Sequence, residues 1–94
     1  MKLLITYDVS TVDKAGQKRL RRVARACEDY GTRVQKSVFE CTVGETDWVR
    51  LRARLMAEMD VKQDSVRVYY LGMDIRIEHH GSVEPVDLAG PLIV

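Results

Sequence analysis

T-R-V-Q-K-S-V-F-E-C-T-V, residues 32–43, is the stretch on which the fold turns. Val34, Val38, Phe39 and Val43 give it the β-branched and aromatic character of a strand. Its twelve residues exceed the usual single strand of about 5–6. The polar Gln35-Lys36-Ser37 divides it as a hairpin would, although no Asn-Gly or Asp-Gly pair marks the turn. As one continuous strand it would set Arg33, Gln35, Ser37 and Phe39 along a single sheet face. A hairpin breaks that face.

Upstream, K-L-L-I-T-Y at 2–7 reads as a strand buried on both faces, closed by Asp8. A polar connection leads to Asp13, which suits the N-cap of a helix over about 14–30. Leu20, Val23, Ala24 and Cys27 form the apolar stripe of that helix, and Gly31 stands where a C-terminal glycine cap belongs. Downstream, Thr46 is the expected cap of a second helix over about 47–59, with Trp48, Leu51, Leu55 and Met59 inward. S-V-R-V-Y-Y-L at 65–71 alternates as a strand. A Gly72-Met73-Asp74 turn and a short fifth strand around Ile75 and Ile77 follow, then an extended tail ending on Leu92-Ile93-Val94.

With the hairpin, the order is strand, helix, strand, strand, helix, strand. That is the α+β, ferredoxin-like βαββαβ pattern, with an additional C-terminal strand and an extended tail. A chain of 94 residues holds a single domain. Residues 1–71 are its core and 72–94 its strand and tail. A domain this small gains from oligomerisation.

Net charge is only +1, but it is unevenly spread. Residues 1–44 carry nine Lys/Arg against five Asp/Glu, a net +4. Residues 45–94 carry six against nine, a net −3. The first helix concentrates the positive charge in Lys18, Arg19, Arg21, Arg22 and Arg25. Such a face can follow a phosphate backbone with salt-dependent affinity, or it can simply be solvated beside Glu28 and Asp29. Arg33 is a further phosphate candidate.

Asp8 is the leading candidate for chemistry. It ends a central strand, where open sheets carry ligands, and a carboxylate there can take one position on Mg²⁺. A two-fold axis nearby would supply a second carboxylate. The plainer reading is a loop cap or a partner for an arginine. His79 and His80 are adjacent, so they point to opposite faces of a strand and chelate poorly. Tyr69 and Tyr70 read as strand packing with polar tips. Cys27 and Cys41 have no metal-type spacing and read as buried free thiols of a reduced, cytoplasmic protein. No P-loop, Gly-x-Gly-x-x-Gly, zinc spacing or Ser/His/Asp pattern occurs. No leader and no membrane association are expected, since only three consecutive apolar residues follow Met1-Lys2.

Four segments together resemble a known family, CRISPR-associated protein 2. They are L-I-T-Y-D-V at 4–9, K-R-L-R-R-V-A-R-A-C-E-D-Y-G at 18–31, R-V-Q-K-S-V-F-E at 33–40 and D-S-V-R-V-Y-Y-L at 64–71. The tail, with E-H-H-G at 78–81, is similar to the longer-tailed branch of that family. The resemblance implies a ferredoxin-like homodimer with facing sheets. It implies that Asp8 is the catalytic and metal-binding aspartate, sharing Mg²⁺ across the two-fold axis. Tyr7, Arg33, Ser37 and Phe39 fall on its motif positions. The implied role is CRISPR adaptation, as a metal-dependent endonuclease on RNA or double-stranded DNA. The alternative is a non-catalytic DNA-binding adaptor that bridges dimers of the CRISPR integrase, CRISPR-associated protein 1. Apart from the resemblance, a ferredoxin-like regulatory domain binding a small ligand is a third possibility, for which no residue pattern speaks.

Overall fold

In the computed structural model, residues 1–72 are described together with Arg76 and Glu78. The expected fifth strand and the tail lie outside the described residues, as do His79 and His80. The elements are β1 (Lys2–Asp8), α1 (Lys14–Tyr30), β2 (Gly31–Gln35), β3 (Val38–Thr42), α2 (Glu45–Glu58) and β4 (Ser65–Leu71). They form one antiparallel sheet of order β2-β3-β1-β4, with β1 between β3 and β4. This is the expected ferredoxin-like βαββαβ arrangement.

The hairpin exists. Gln35 and Val38 close a two-residue turn at Lys36-Ser37, and the register slips between Arg33 and Gln35. That bulge gives β2 an extra residue. Arg33 therefore lies opposite Phe39, on the helix side, while Gln35 lies opposite Val38 on the other side. The single face expected of a continuous strand does not form.

Leu3, Ile5 and Tyr7 alternate inward from β1 and bury against Val23, Ala26 and Cys27 of α1 and Leu51 and Leu55 of α2. Each such side chain contributes roughly 1.5–3 kcal/mol by leaving water. Leu4 and Thr6 occupy the opposite face and are only half-buried. The expectation of a strand buried on both faces is thus corrected: among the described residues both crossover helices pack on one side, and Leu4 and Thr6 on the other keep partial exposure.

Asp13 caps α1 as expected, its Oδ1 accepting the Gly16 N–H at 2.8 Å. Two other boundaries differ from expectation. Gly31 does stand at the C-cap of α1, but its backbone is extended (φ −155°) rather than left-handed, and α1 runs directly into β2. A Cβ there would collide with Cys41 Sγ and lie 2.5 Å from the Glu40 carbonyl oxygen, so glycine permits the close β2–β3 approach. The second helix begins earlier, at Glu45, with Gly44 in the capping position and Thr46 inside the first turn. Glu45 and Asp47 favour that end through the helix dipole.

Candidate active site

Asp8 is the last residue of β1 and is exposed. It pairs with Ser65 at the end of the β1–β4 ladder, on the face opposite α1 and α2. On the β3 side the regular ladder stops at Thr6 and Val38. One more bond extends it, from the Tyr7 N–H to the Ser37 carbonyl at 3.1 Å. The hairpin turn is thereby held alongside the Tyr7-Asp8 dipeptide.

Beneath the sheet, the Tyr7 and Phe39 rings stack with centroids 6.1 Å apart. The Arg33 guanidinium lies 5.0 Å from the Phe39 ring centroid, a cation–π arrangement. Its Nη2 donates to Glu28 at 2.9 Å and its Nη1 to the Lys36 carbonyl at 3.2 Å. Tyr7, Arg33, Ser37 and Phe39 are therefore brought together around one turn, while Asp8 stands on the other side of the sheet. Burial pushes the Tyr7 phenol up to about 12, and the nearby Arg33 charge opposes this.

The basic helix divides into separate populations. Lys14, Lys18, Arg21 and Arg25 follow one another at helical spacing on the exposed side of α1. Arg25 pairs with Asp29 at 3.4 Å; Lys14, Lys18 and Arg21 make no ion pair among the described residues. Arg22 reaches Glu58 of α2 at 3.7 Å. Arg19 does not join this exposed group. Its side chain is 16% exposed, and its Nε donates to Asp64 at 2.8 Å.

Asp64 is the residue that sequence reasoning passed over. Its side chain is fully buried, and its carboxylate also accepts the N–H groups of Ser10 and Asp60. It begins the D-S-V-R-V-Y-Y-L segment, but an aspartate before a strand carries no signal of a partner 45 positions away.

Among the described residues no three His, Cys, Asp or Glu side chains group as metal ligands. Asp8 offers an accessible carboxylate at the strand end. Mg²⁺ keeps several waters and takes as few as one or two carboxylates, so the Asp8 carboxylate is of a kind that could contribute one ligand to such an ion.

The whole arrangement has relatives. A family model described as CRISPR associated protein Cas2 matches residues 1–75, taking in β1, the basic helix, the hairpin and β4. The chain belongs to the CRISPR-associated Cas2 family. It is 54% identical to the "CRISPR-associated endoribonuclease Cas2" of Chlorobaculum tepidum over the full length of both chains. It is 48% identical to the "CRISPR-associated endonuclease Cas2" of Halalkalibacterium halodurans, covering 99% of each. The crystal structure of Streptococcus pyogenes Cas2 at pH 6.5 is similar with a TM-score of 0.76 and 51% identity, covering 86% of this chain and all of that one. These Cas2 relatives are named as nucleases in the two sequence cases. Among the described residues no helix is long and apolar enough to cross a membrane.

Proposed function

We propose that the chain acts in the cytoplasm, in CRISPR adaptation, as a homodimeric endonuclease that hydrolyses phosphodiesters of RNA or double-stranded DNA. The observation that carries this reading is the exposed Asp8 carboxylate at the end of the central strand, on the sheet face opposite α1 and α2. A second copy apposed on that face would cover Leu4 and Thr6 and bring a second Asp8 to the first. Mg²⁺, when held by the two carboxylates, supplies Lewis-acid activation of water and screening of the phosphate. The chain's own part is to hold that carboxylate at the strand end and to bind the substrate backbone through Arg21 and Arg25 of α1. In the reaction water adds to phosphorus, the bond to the leaving oxygen breaks, and that oxygen takes up a proton.

A second reading is favoured by the exposed Lys14–Lys18–Arg21–Arg25 row. It gives the dimer a grip on duplex DNA that needs no cleavage, as in an adaptor between dimers of the CRISPR integrase. The test is cleavage of labelled RNA and duplex DNA with Mg²⁺ by the wild type and by Asp8→Asn. The nuclease reading expects a loss of about 100-fold or more in Asp8→Asn with binding retained. No cleavage by either protein, with steeply salt-dependent binding of DNA by both, selects the adaptor.

A further inference from the structure

We infer that Asp64, paired with Arg19, is a positioning residue that holds the Asp8 end of β1 in place. The inference deepens the nuclease reading and rests on it for its kinetic consequence, but its structural consequence stands by itself.

A single carboxylate joins three segments. Its Oδ1 accepts the Ser10 N–H at 3.0 Å, two residues beyond Asp8. Its Oδ2 accepts the Asp60 N–H at 2.8 Å, in the turn before β4, and Arg19 Nε at 2.8 Å, from α1. Arg19 Nη2 lies 3.4 Å from Oδ1. The β1–β4 ladder ends at the Asp8–Ser65 pair, and Ser65 directly follows Asp64. The Ser10–Asp64 bond thus closes the ladder just past Asp8. The carbonyl of Ser10 is confined from another side. A Cβ on Gly16 would collide with it, so the first turn of α1 lies directly against this loop. Asp8 therefore sits between a strand pair and Ser10, whose N–H is hydrogen-bonded to Asp64 and whose carbonyl lies close against the first turn of α1.

The chemistry requires an acid at this position. Both oxygens face donors only, so the site suits an acceptor-only carboxylate. An asparagine would turn its NH₂ toward a backbone N–H or the guanidinium. The Arg19 charge accompanies the buried carboxylate, which would otherwise lie uncompensated. The Asp64 side chain is fully buried, so its effect on reaction passes through the placement of Asp8.

The experiment compares the full-length wild type with Asp64→Asn and Arg19→Gln, well below their unfolding temperatures. Two quantities are read: amide hydrogen exchange at Ser10, and kcat and KM on labelled RNA with Mg²⁺. In Asp64→Asn, Ser10 exchange is expected to rise about tenfold or more as its buried bond is lost. The kcat is expected to fall roughly 10- to 100-fold, as small displacements of a reacting group do, with KM within about twofold. Arg19→Gln leaves the carboxylate in place and is expected to move both readouts the same way by about threefold. It decides the question alone if Asp64→Asn does not fold. Unchanged Ser10 exchange in the folded variants overturns the inference. So does a kcat equal to wild type, or a loss that merely tracks the unfolded fraction. A wild type that cuts no RNA or DNA refutes the nuclease reading instead, and Ser10 exchange then decides the positioning by itself.

Discussion

Tyr7 shows how one side chain couples the motif to the core. Its phenol is held at about 12 by burial, above its unfolded value of about 10. The folded state therefore favours the neutral phenol. That contribution is complete below about pH 10 and is lost as the pH rises from 10 to about 12. Tyr7→Phe is expected to move the alkaline unfolding midpoint upward, read from the fluorescence of Trp48. Asp64 has the opposite sign. Burial alone would raise its pKa, but the hydrogen bonds from Arg19, Asp60 and Ser10 outweigh it and hold the carboxyl below its ordinary value. Its contribution is present above the unfolded value of about 3.9 and is lost as the pH falls through the lower folded value. Acid unfolding followed by circular dichroism is expected to be less steep in Asp64→Asn. That variant also starts from a lower stability, because Arg19 and the Ser10 and Asp60 N–H groups lose their charged acceptor. Cys27, fully buried and pushed up to about 12 by burial, is expected to resist iodoacetamide until the chain unfolds.

The Asp13 cap of α1 and the close-packed Gly31 mark two element boundaries. Asp13 was legible as a cap because capping is local: an acceptor three residues before a free N–H suffices. Asp13→Ala is expected to cost about 1 kcal/mol in urea unfolding with an unchanged slope. Gly31 sits at the C-cap that the sequence indicates, but a glycine after a helix has two meanings, a left-handed turn or a close approach, and only the β2–β3 pairing distinguishes them. Gly31→Ala is expected to lower stability by roughly 1–3 kcal/mol, the usual cost of overpacking, because Cys41 and the Glu40 carbonyl lie where the methyl must go. The hairpin shows the same ambiguity. Length and polarity hinted at a turn, but the bulge after Arg33 has no residue signature in Val34 or Gln35. That bulge decides which side of the sheet each motif residue faces.

At the scale of the molecule, charge and hydrophobicity are partitioned between faces. The basic row of α1 lies on the outer side of the helical layer, and the sheet face opposite α1 and α2 carries Leu4, Thr6 and Asp8. For the proposed dimer, Leu4→Glu is expected to shift sedimentation from a dimer to a monomer, since a buried unpaired carboxylate would oppose apposition. A monomer–dimer equilibrium indifferent to this change would exclude that face as the interface. Arg21→Ala with Arg25→Ala is expected to weaken nucleic-acid binding evenly across sequences and to reduce the salt slope by about 2.

Taken alone, the sequence determined the order of strands and helices, the inward stripes of both helices, the Asp13 cap and the prominence of Asp8. These follow from periodicity and from neighbours within a few positions, which a linear reading contains. The tertiary structure alone decided that Arg19 turns inward to Asp64 rather than outward to solvent. It also decided that Asp8 lies opposite the Tyr7–Phe39–Arg33 stack, and that Gly31 opens a strand as it ends the helix. Each of these depends on strand register or on a contact between distant segments. Such contacts arise only when the whole sheet closes against its helices, and no local pattern of residues encodes them.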